Sequence, residues 1–279
     1  MMANLTLAAI NAKLELEQER EHRTHLGASV LGKKCAREIW YGFRWAFMEE
    51  FEGRMLRLFK RGQDEENVFL TYLKSIGCET WEIDPRTGKQ WRISGSGGHF
   101  GGSCDGVARG IPEIPGVPFA VEFKTHNDKS FKSLSNDGLC MAKPEHYAQS
   151  QIYTYKLGLT HSLYCGVNKN DDRLYLELLE VNPVYCETLL AKADRIIFAD
   201  IPPPKISASP AFYLCKFCKF SKICHDGALP EKNCRTCWFS EPTRDGKWKC
   251  GYHKQHVLTK AQQHEGCQTY QIKPEFLAE

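Results

Sequence analysis

The sequence lacks a long hydrophobic run and a strong excess of either charge. No segment approaches the roughly 20 consecutive apolar residues that a membrane-spanning helix requires. The 37 Lys and Arg residues nearly balance the 34 Asp and Glu residues, and a net charge of +3 is too small to indicate a nucleic-acid or membrane partner. Internal repeats and low-complexity tracts are also absent. These features indicate a soluble globular protein.

Cysteine, by contrast, is abundant and unevenly placed. The chain has 13 cysteines in 279 residues, and seven of them lie in the last 65 residues. An odd number excludes a fully paired intramolecular disulfide scaffold. Because residues 1–14 lack the basic stretch of a secretory signal, we expect a cytoplasmic location. In a reducing compartment, clustered Cys-x-x-Cys pairs indicate metal ligation rather than disulfides.

The hydrophobic periodicities predict a mixed α/β architecture with a strand-rich centre. Helices are expected at 3–20, 34–50, 54–76, 144–157 and 184–199. Strands are expected at 79–84, 90–94, 102–109, 118–125, 162–168 and 173–181, and residues 126–142 are expected to form a polar loop. The run Pro202 to Pro204 is the clearest boundary in the chain.

An acid and a lysine stand out in the strand predicted at 118–125. Residues 119–124 alternate strictly, so Glu122 and Lys124 point to the same face. Asp105 lies in or beside the preceding strand and could approach Glu122, and two such carboxylates suit Mg²⁺ or Mn²⁺. The alternative interpretation is an ordinary edge strand whose Glu122 and Lys124 face water.

Two helices add polar residues in a matching order. Glu66 shares the inward face of the helix at 54–76 with three apolar residues, which makes it a candidate third metal ligand. Further along the chain, Gln149 and Tyr153 are four residues apart and therefore share a helix face, together with His146.

This ordered set resembles the PD-(D/E)XK nuclease superfamily, specifically its RecB-like exonuclease branch. The resemblance covers roughly residues 29–226 and implies a restriction-endonuclease-like α/β core, in which helices flank a central mixed sheet. It also implies that Mg²⁺ or Mn²⁺ binds to Glu66, Asp105, Glu122 and the backbone carbonyl of Phe123. The catalytic set that it implies is Asp105, Glu122 and Lys124, with Gln149 and Tyr153 supporting the site or the DNA.

Cys215, Cys218 and Cys224 supply three thiolates within ten residues, whereas a tetrahedral site needs four. Iron–sulfur nucleases of this branch, such as AddB and the CRISPR-associated adaptation nucleases, complete the set with one upstream cysteine, which Cys35 resembles. The resemblance therefore implies a [4Fe–4S] cluster. A zinc site completed by His225 or Cys234, or a free Cys35 packed in a helix, stays open as an alternative.

A second group of four cysteines follows near the end of the sequence. Its spacing, Cys234-x2-Cys237-x12-Cys250-x16-Cys267, is typical of a zinc-ribbon-like knuckle. His253 and His256 compete with Cys267 as the fourth ligand, and a second iron–sulfur cluster is a further alternative. Aromatic residues between the cysteines either stack on nucleic-acid bases or fill the knuckle.

We therefore expect a nuclease core at 1–226, closed by the iron–sulfur cluster, and a small cysteine-rich metal-binding C-terminal appendage at 227–279. The leading hypothesis is a metal-dependent exonuclease that hydrolyses linear DNA in recombination, replication or repair. DNA is the expected partner, together with a recombination or replication protein, and no membrane. The layout resembles phage and prophage nucleases, which would place the protein in a host cytoplasm. The alternative is a non-catalytic or redox-sensing DNA-binding module.

Overall fold

The computed structural model describes residues 4–254 and 257–277 of the chain. Its helices are α1 (Leu5–Glu17), α2 (Ala36–Phe43), α3 (Gly53–Ser75), α4 (Asp128–Ala142), α5 (Pro144–Lys156), α6 (Pro183–Ile197), α7 (Tyr213–Lys216), α8 (Ser221–His225) and α9 (Lys260–Glu265). None of the helices in these ranges is long and apolar enough to cross a membrane.

The strands in the same ranges are short, except for three in the centre of the chain. They are β1 (Leu26–Gly27), β2 (Glu79–Trp81), β3 (Ile83–Asp84), β4 (Lys89–Gln90), β5 (Arg92–Gly95), β6 (Phe100–Ser103), β7 (Gly106–Arg109), β8 (Phe119–His126), β9 (His161–Asn168), β10 (Leu174–Glu180), β11 (Ser240–Pro242) and β12 (Trp248–Cys250). Most of the strands predicted from the sequence are therefore present, some of them divided in two.

A five-stranded mixed sheet with the order β10-β9-β8-β7-β2 forms the centre of the fold. Strands β8 and β9 run parallel, and the other neighbours are antiparallel. The alternation of β8 divides its side chains between two layers. Phe123 stacks on Phe69 of α3, with ring centroids 5.1 Å apart, whereas Ala120 packs in the core cluster that includes Ile152 of α5. A mixed α/β fold with helices flanking a mixed sheet is thus confirmed.

Residues 128–142 form helix α4, so the expectation of a polar loop at 126–142 is wrong. The Asn127 side chain accepts a hydrogen bond from the Ser130 amide and caps the helix. Phe131, Leu134 and Leu139 bury one side of this helix. Polar residues between them obscure the helical period in the sequence, and the non-helical backbone at Gly138 interrupts that period before Leu139.

The C-terminal residues share the main hydrophobic core. Trp248 is 2% exposed, and its ring centroid lies 5.4 Å from that of Phe43 in α2. The buried Arg235 guanidinium lies 3.7 Å from the ring centroid of Trp45 and donates a hydrogen bond of 3.0 Å to the Phe43 carbonyl. The core therefore extends across residue 226, where the sequence analysis places a domain boundary.

The hairpin of β11 and β12 also packs on a glycine-rich turn before β6. Gly97 has φ +70°, and a Cβ atom there would lie 2.0 Å from the carbonyl oxygen of Arg244. A Cβ on Gly246 would meet the Gly97 carbonyl oxygen at 2.2 Å. Such a close approach of two backbones requires glycine. The glycines therefore let the hairpin seat against this turn.

Candidate active site

Strand β8 gathers three oxygen groups around the ammonium of Lys124. The Lys124 Nζ atom donates hydrogen bonds to Glu122 Oε1 and, at 3.1 Å, to the Phe123 carbonyl. It also lies 4.0 Å from Asp105 Oδ2, which accepts a 2.8 Å hydrogen bond from the Phe123 amide. The bend between β6 and β7 supplies Asp105. The structure thus brings together the acidic and basic residues that the sequence places in two separate segments.

One oxygen of Glu122 has no partner. Glu122 is 1% exposed, and its Oε2 atom makes no hydrogen bond, whereas Oε1 binds Lys124. A buried carboxylate oxygen without a partner costs roughly 1–3 kcal/mol, and more when it carries charge. Such a cost is offset when a ligand supplies the missing contact. The free oxygen therefore marks a position where a cation would be stabilised.

Three carboxylates share the single ammonium. Burial and the Asp105 carboxylate raise the pKa of Glu122 to about 8, against the opposing effect of Lys124. Partial burial and Asp105 raise the pKa of Glu66 to about 7, and burial raises the pKa of Asp105 itself. Burial opposes the charge of Lys124, but Glu122 and Asp105 hold its pKa above the usual value. The excess of acids over bases favours binding of an additional cation.

The donor set fits a hard divalent cation. Within the described ranges, no three or more His, Cys, Asp or Glu side chains are already grouped so as to hold a metal ion. In this structure the Lys124 ammonium is the cation that these oxygen atoms surround, because it contacts Glu122 and the Phe123 carbonyl and approaches Asp105. Carboxylate and carbonyl oxygens are the ligands that Mg²⁺ and Mn²⁺ prefer. The charge of Glu66 also acts on Glu122 and Lys124, so this carboxylate lies in the same neighbourhood.

Helix α5 places Gln149 and Tyr153 against the same face of the sheet. The Gln149 Nε2 atom lies 3.5 Å from the Tyr153 hydroxyl, and both side chains are buried. A Cβ atom on Gly102 in β6 would lie only 2.7 Å from that hydroxyl. Burial and the charge of Glu122 raise the pKa of Tyr153. The two residues therefore share a buried face of α5, and the charge of Glu122 reaches the Tyr153 hydroxyl.

A hydrogen-bonded chain beside Lys124 was not predicted from the sequence. It links the Ser130 hydroxyl to His126 Nδ1 at 2.9 Å, His126 Nε2 to the Tyr164 hydroxyl at 2.9 Å, and that hydroxyl to His146 Nδ1 at 2.8 Å. The alternation of β8 could have placed His126 on the face of Glu122 and Lys124. Tyr164 could not be placed, because its position depends on the register of β9.

The four cysteines predicted to bind a cluster line one pocket. Cys35 precedes α2, while Cys215, Cys218 and Cys224 lie in or beside the short helices α7 and α8, and Tyr41 and Phe220 add apolar walls. Burial raises the pKa of Cys215, and Cys224 and Cys35 add to the rise. His225 lines the same pocket, whereas Cys234 does not. Two distant segments thus meet here and bring four soft sulfur donors to one pocket, which charged side chains such as Arg37, Glu38 and Lys205 also line.

The cysteines of the second group lie near enough for their charges to interact. Burial is the largest cause that raises the pKa of Cys234 to about 11, and Cys237, Cys267 and Cys250 contribute to the rise. The Cys267 sulfur lies 3.0 Å from the Thr269 hydroxyl, which lies 3.1 Å from His253 Nε2. His253 therefore stays close enough to compete as a ligand, and His256 lies outside the described residues.

No protein-family model matches the sequence, and no curated protein matches it. Among solved structures, SSO0001 is similar with a TM-score of 0.45 and 19% identity, covering 80% of this chain and 98% of that chain. LHK-Exo in complex with dAMP has a TM-score of 0.44 and 15% identity over 67% of this chain and 88% of that chain. The alkaline exonuclease LHK-Exo from Laribacter hongkongensis has a TM-score of 0.42 and 17% identity, covering 63% and 87% of the two chains. At this level of similarity, a functional argument rests on the site alone.

Proposed function

We propose that the chain is a metal-dependent DNA exonuclease of the PD-(D/E)XK superfamily, in its RecB-like branch. The observation that carries this proposal is the convergence of Asp105, Glu122 and the Phe123 carbonyl on the Lys124 ammonium. The unpaired Oε2 of Glu122 supports it, because that atom is buried and directed at no protein donor. An edge strand facing water would leave its carboxylates solvated, whereas Glu122 is 1% exposed.

Asp105, Glu122 and the Phe123 carbonyl would hold Mg²⁺ or Mn²⁺, with Glu66 as a further ligand. Bound there, the cation would polarise a phosphate oxygen and lower the pKa of a water molecule. Lys124 keeps its positive charge, because the carboxylates hold its pKa high. Its ammonium can therefore orient a water molecule or offset the negative charge that develops on a phosphate. Gln149 and Tyr153 fix the wall of the site that faces these groups.

We further propose that the pocket formed by Cys35, Cys215, Cys218 and Cys224 holds a [4Fe–4S] cluster. Four thiols from two ends of the core line this pocket, which supports the proposal. Cluster ligation would close a loop of about 180 residues and thereby restrict the unfolded chain. The group of Cys234, Cys237, Cys250 and Cys267 is proposed to hold Zn²⁺. Metal analysis after anaerobic purification should find about four irons and about one zinc per chain.

Linear DNA in recombination, replication or repair is the proposed substrate. The test uses linear DNA labelled at either end, in the presence of Mg²⁺ or Mn²⁺. Lys124→Ala should reduce cleavage by about 10²–10³-fold, because removal of one group that stabilises transition-state charge has effects of this size. The matched control is Lys156→Ala at the exposed end of α5, which should cleave like wild type.

Two results would contradict the proposal. Wild-type protein that leaves linear DNA intact with both metals would show that the site is not a nuclease site. Lys124→Ala protein that cleaves at the wild-type rate would show that cleavage takes place elsewhere. Circular dichroism of each variant confirms that a loss of activity does not reflect unfolding.

A further inference from the structure

Strand β10 forms one edge of the central sheet, and no other strand of the described residues pairs with its outer side. Its register with β9 runs through seven consecutive residue pairs without a bulge. In an antiparallel pair, residues that bond to the neighbour alternate with residues whose N–H and C=O groups point away from it. The amide of Asn168 donates to the Arg173 carbonyl, and the amide of Val181 donates to the Thr160 carbonyl. The odd-numbered residues of β10 therefore bond to β9.

The backbone groups of Leu174, Leu176 and Leu178 point to the open edge as a consequence. Within residues 4–254 and 257–277, these amides and carbonyls have no hydrogen-bond partner. The edge closes just beyond them, where the Nε2 atom of Gln151 in α5 donates a 2.9 Å hydrogen bond to the Glu180 carbonyl. A row of unpaired backbone groups at a sheet edge is a template on which another strand can pair.

The side chains beside this edge are apolar on both faces of the sheet. The even-numbered leucines of β10 lie on the α3 side, because they stand opposite residues of β9 that pack with α3. Leu174 is 49% exposed and Leu176 is 57% exposed. On the α4 side Met141 is exposed, and the amide of Leu139, two residues before it, donates a 2.8 Å hydrogen bond to Glu177 of β10. A strand added here would cover apolar surface as well as backbone groups.

The usual protection of an edge strand is missing from β10. Lysine, proline and bulges keep exposed edges from pairing, and β10 contains none of them. Glu177 does not supply a free charge, because its carboxylate accepts hydrogen bonds from the Leu139 amide and the Tyr175 hydroxyl. The other acid, Glu180, lies past the open part of the edge. The open part is therefore suited to pair with a further strand.

We propose that β10 pairs with β10 of a second copy of this chain, antiparallel about a two-fold axis at Leu176, and so joins the two central sheets. In this register Leu176 stands opposite Leu176 of the second copy, and Leu174 stands opposite Leu178 of the second copy. Every outward amide and carbonyl of the three leucines then has a partner, and the leucines form one apolar strip. The same patch is used on both copies, as a two-fold interface requires.

The charges beside the strand favour this register over its neighbours. Tyr175 stands opposite Glu177 of the second copy, and Arg173 lies diagonally from that carboxylate, so complementary groups meet on the α4 side. A two-fold axis at Glu177 would instead place two carboxylates opposite each other. An axis at Tyr175 would pair Leu178 with Asp172, whose φ of +58° is left-handed and not that of a strand. Of these three registers, only the first pairs all the outward groups and separates the acids.

The pairing also fixes where the two candidate active sites lie. Leu176 is in register with Cys165 of β9, which is in register with Phe123 of β8. The two-fold axis is therefore level with Phe123 in both copies, and five strand spacings of about 4.8 Å place the two β8 strands about 24 Å apart. Because the axis is perpendicular to the sheet, both sites lie on the same face of the joined sheet. The pairing depends on the edge alone and not on the proposed nuclease function.

The test is the molar mass of the full-length protein across a dilution series, measured by light scattering and sedimentation velocity. The wild type should form a dimer that dissociates on dilution. Leu176→Lys should raise the dimer dissociation constant by at least about tenfold, because two ammonium groups would stand opposite each other in place of two buried leucines. Leu229→Lys is the matched control, since Leu229 is 69% exposed outside the sheet, and it should dimerise like the wild type.

Two further variants distinguish strand pairing from a general apolar contact. Leu176→Pro keeps an apolar side chain but removes an outward N–H group that a single copy does not use, so it should also prevent dimerisation. Leu176→Cys should form a disulfide-linked dimer on mild oxidation, because opposite Cα atoms of an antiparallel pair lie within disulfide range. Leu174→Cys is similarly exposed but faces Leu178, so it should form this dimer no more than the wild type does. Urea denaturation of each variant separates a loss of pairing from unfolding.

Wild-type protein that stays monomeric across the dilution series would overturn the proposal. A dimer that persists in both Leu176→Lys and Leu176→Pro would also overturn it, because the copies would then meet at another surface. A molar mass that corresponds to one copy with a different copurified protein, lost in Leu176→Pro, would reject the second copy as the occupant of the edge. Equal disulfide formation by Leu176→Cys and Leu174→Cys would refute the register.

Discussion

Replacing Glu122 with glutamine should stabilise the metal-free protein at pH 8 and have much less effect at pH 5. The reason is the competition among Glu122, Asp105 and Glu66 for the ammonium of Lys124. In the folded protein the pKa of Glu122 rises from its usual 4.5 to about 8, because the side chain is buried near another carboxylate. Glutamine keeps the shape of the side chain and removes its charge.

The direction in which the free energy of unfolding changes with pH follows from proton binding to Glu122. Between pH 4.5 and pH 8 the folded state holds a proton on Glu122 that the unfolded state has released. The contribution of Glu122 to the free energy of unfolding is therefore complete below pH 4.5 and falls as the pH rises towards 8. Each pH unit in this window corresponds to about 1.4 kcal/mol, which gives an upper limit of about 5 kcal/mol. We expect roughly half of that limit, because the substitution also removes a partner of Lys124.

The assay is urea denaturation of the wild type and Glu122→Gln at pH 5 and pH 8, in EDTA and without added metal. Comparing the two proteins at each pH removes the contributions of other titrating groups, including His126 and His146. Added Mg²⁺ should then stabilise the wild type at pH 8 and stabilise Glu122→Gln far less, since a bound ligand favours the folded state. An equal effect of the substitution at both pH values would refute the argument from shared carboxylates.

Three further substitutions test other parts of the structure. Cys215→Ser should abolish most of the bound iron and the absorbance near 400 nm, whereas unchanged iron content would exclude Cys215 as a cluster ligand. Gly102→Ala should lower cleavage activity and also lower the unfolding free energy by about 1–3 kcal/mol, because the added methyl group would lie only 2.7 Å from the hydroxyl of the buried Tyr153. Gly97→Ala should lower the free energy of unfolding by about 1–3 kcal/mol, measured in urea, because φ is +70° and Arg244 leaves no space.

Local periodicity predicted that Glu122 and Lys124 share one face of β8, because the face of a strand repeats every two residues. Glu122 and Lys124 could therefore be placed together without knowledge of the fold. Helical spacing likewise placed Gln149 and Tyr153 on one face of α5. The position of Asp105 could not be predicted from periodicity alone, since the 2.8 Å hydrogen bond that it accepts from the Phe123 amide depends on the pairing of β7 with β8. The sequence indicated that pairing only as a possibility, because Asp105 lies in or beside the strand that precedes β8.

Features that depend on the register between distant segments could not be predicted from the sequence. Tyr164 meets His126 only because β8 and β9 run parallel with Glu122 opposite Tyr164. The sequence between them could equally have formed an antiparallel pair with another register. Helix α4 was missed for a different reason, since its polar residues outnumber the apolar residues that it buries. In this case tertiary packing of Phe131 and Leu134 overrides the local signal.

The C-terminal segment packs into the main core, so its stability does not depend on a metal alone. A segment of about 50 residues could hardly build an apolar core of its own, which argues for a metal. In the structure Trp248 packs against Phe43, and the Arg235 guanidinium donates to the carbonyls of Phe43 and Thr24. A buried arginine that spans two segments is costly to leave unpaired, so these contacts tie the segment to α2. Zinc at the Cys234 group would therefore stabilise the local knuckle, whereas docking of the segment depends on the shared core.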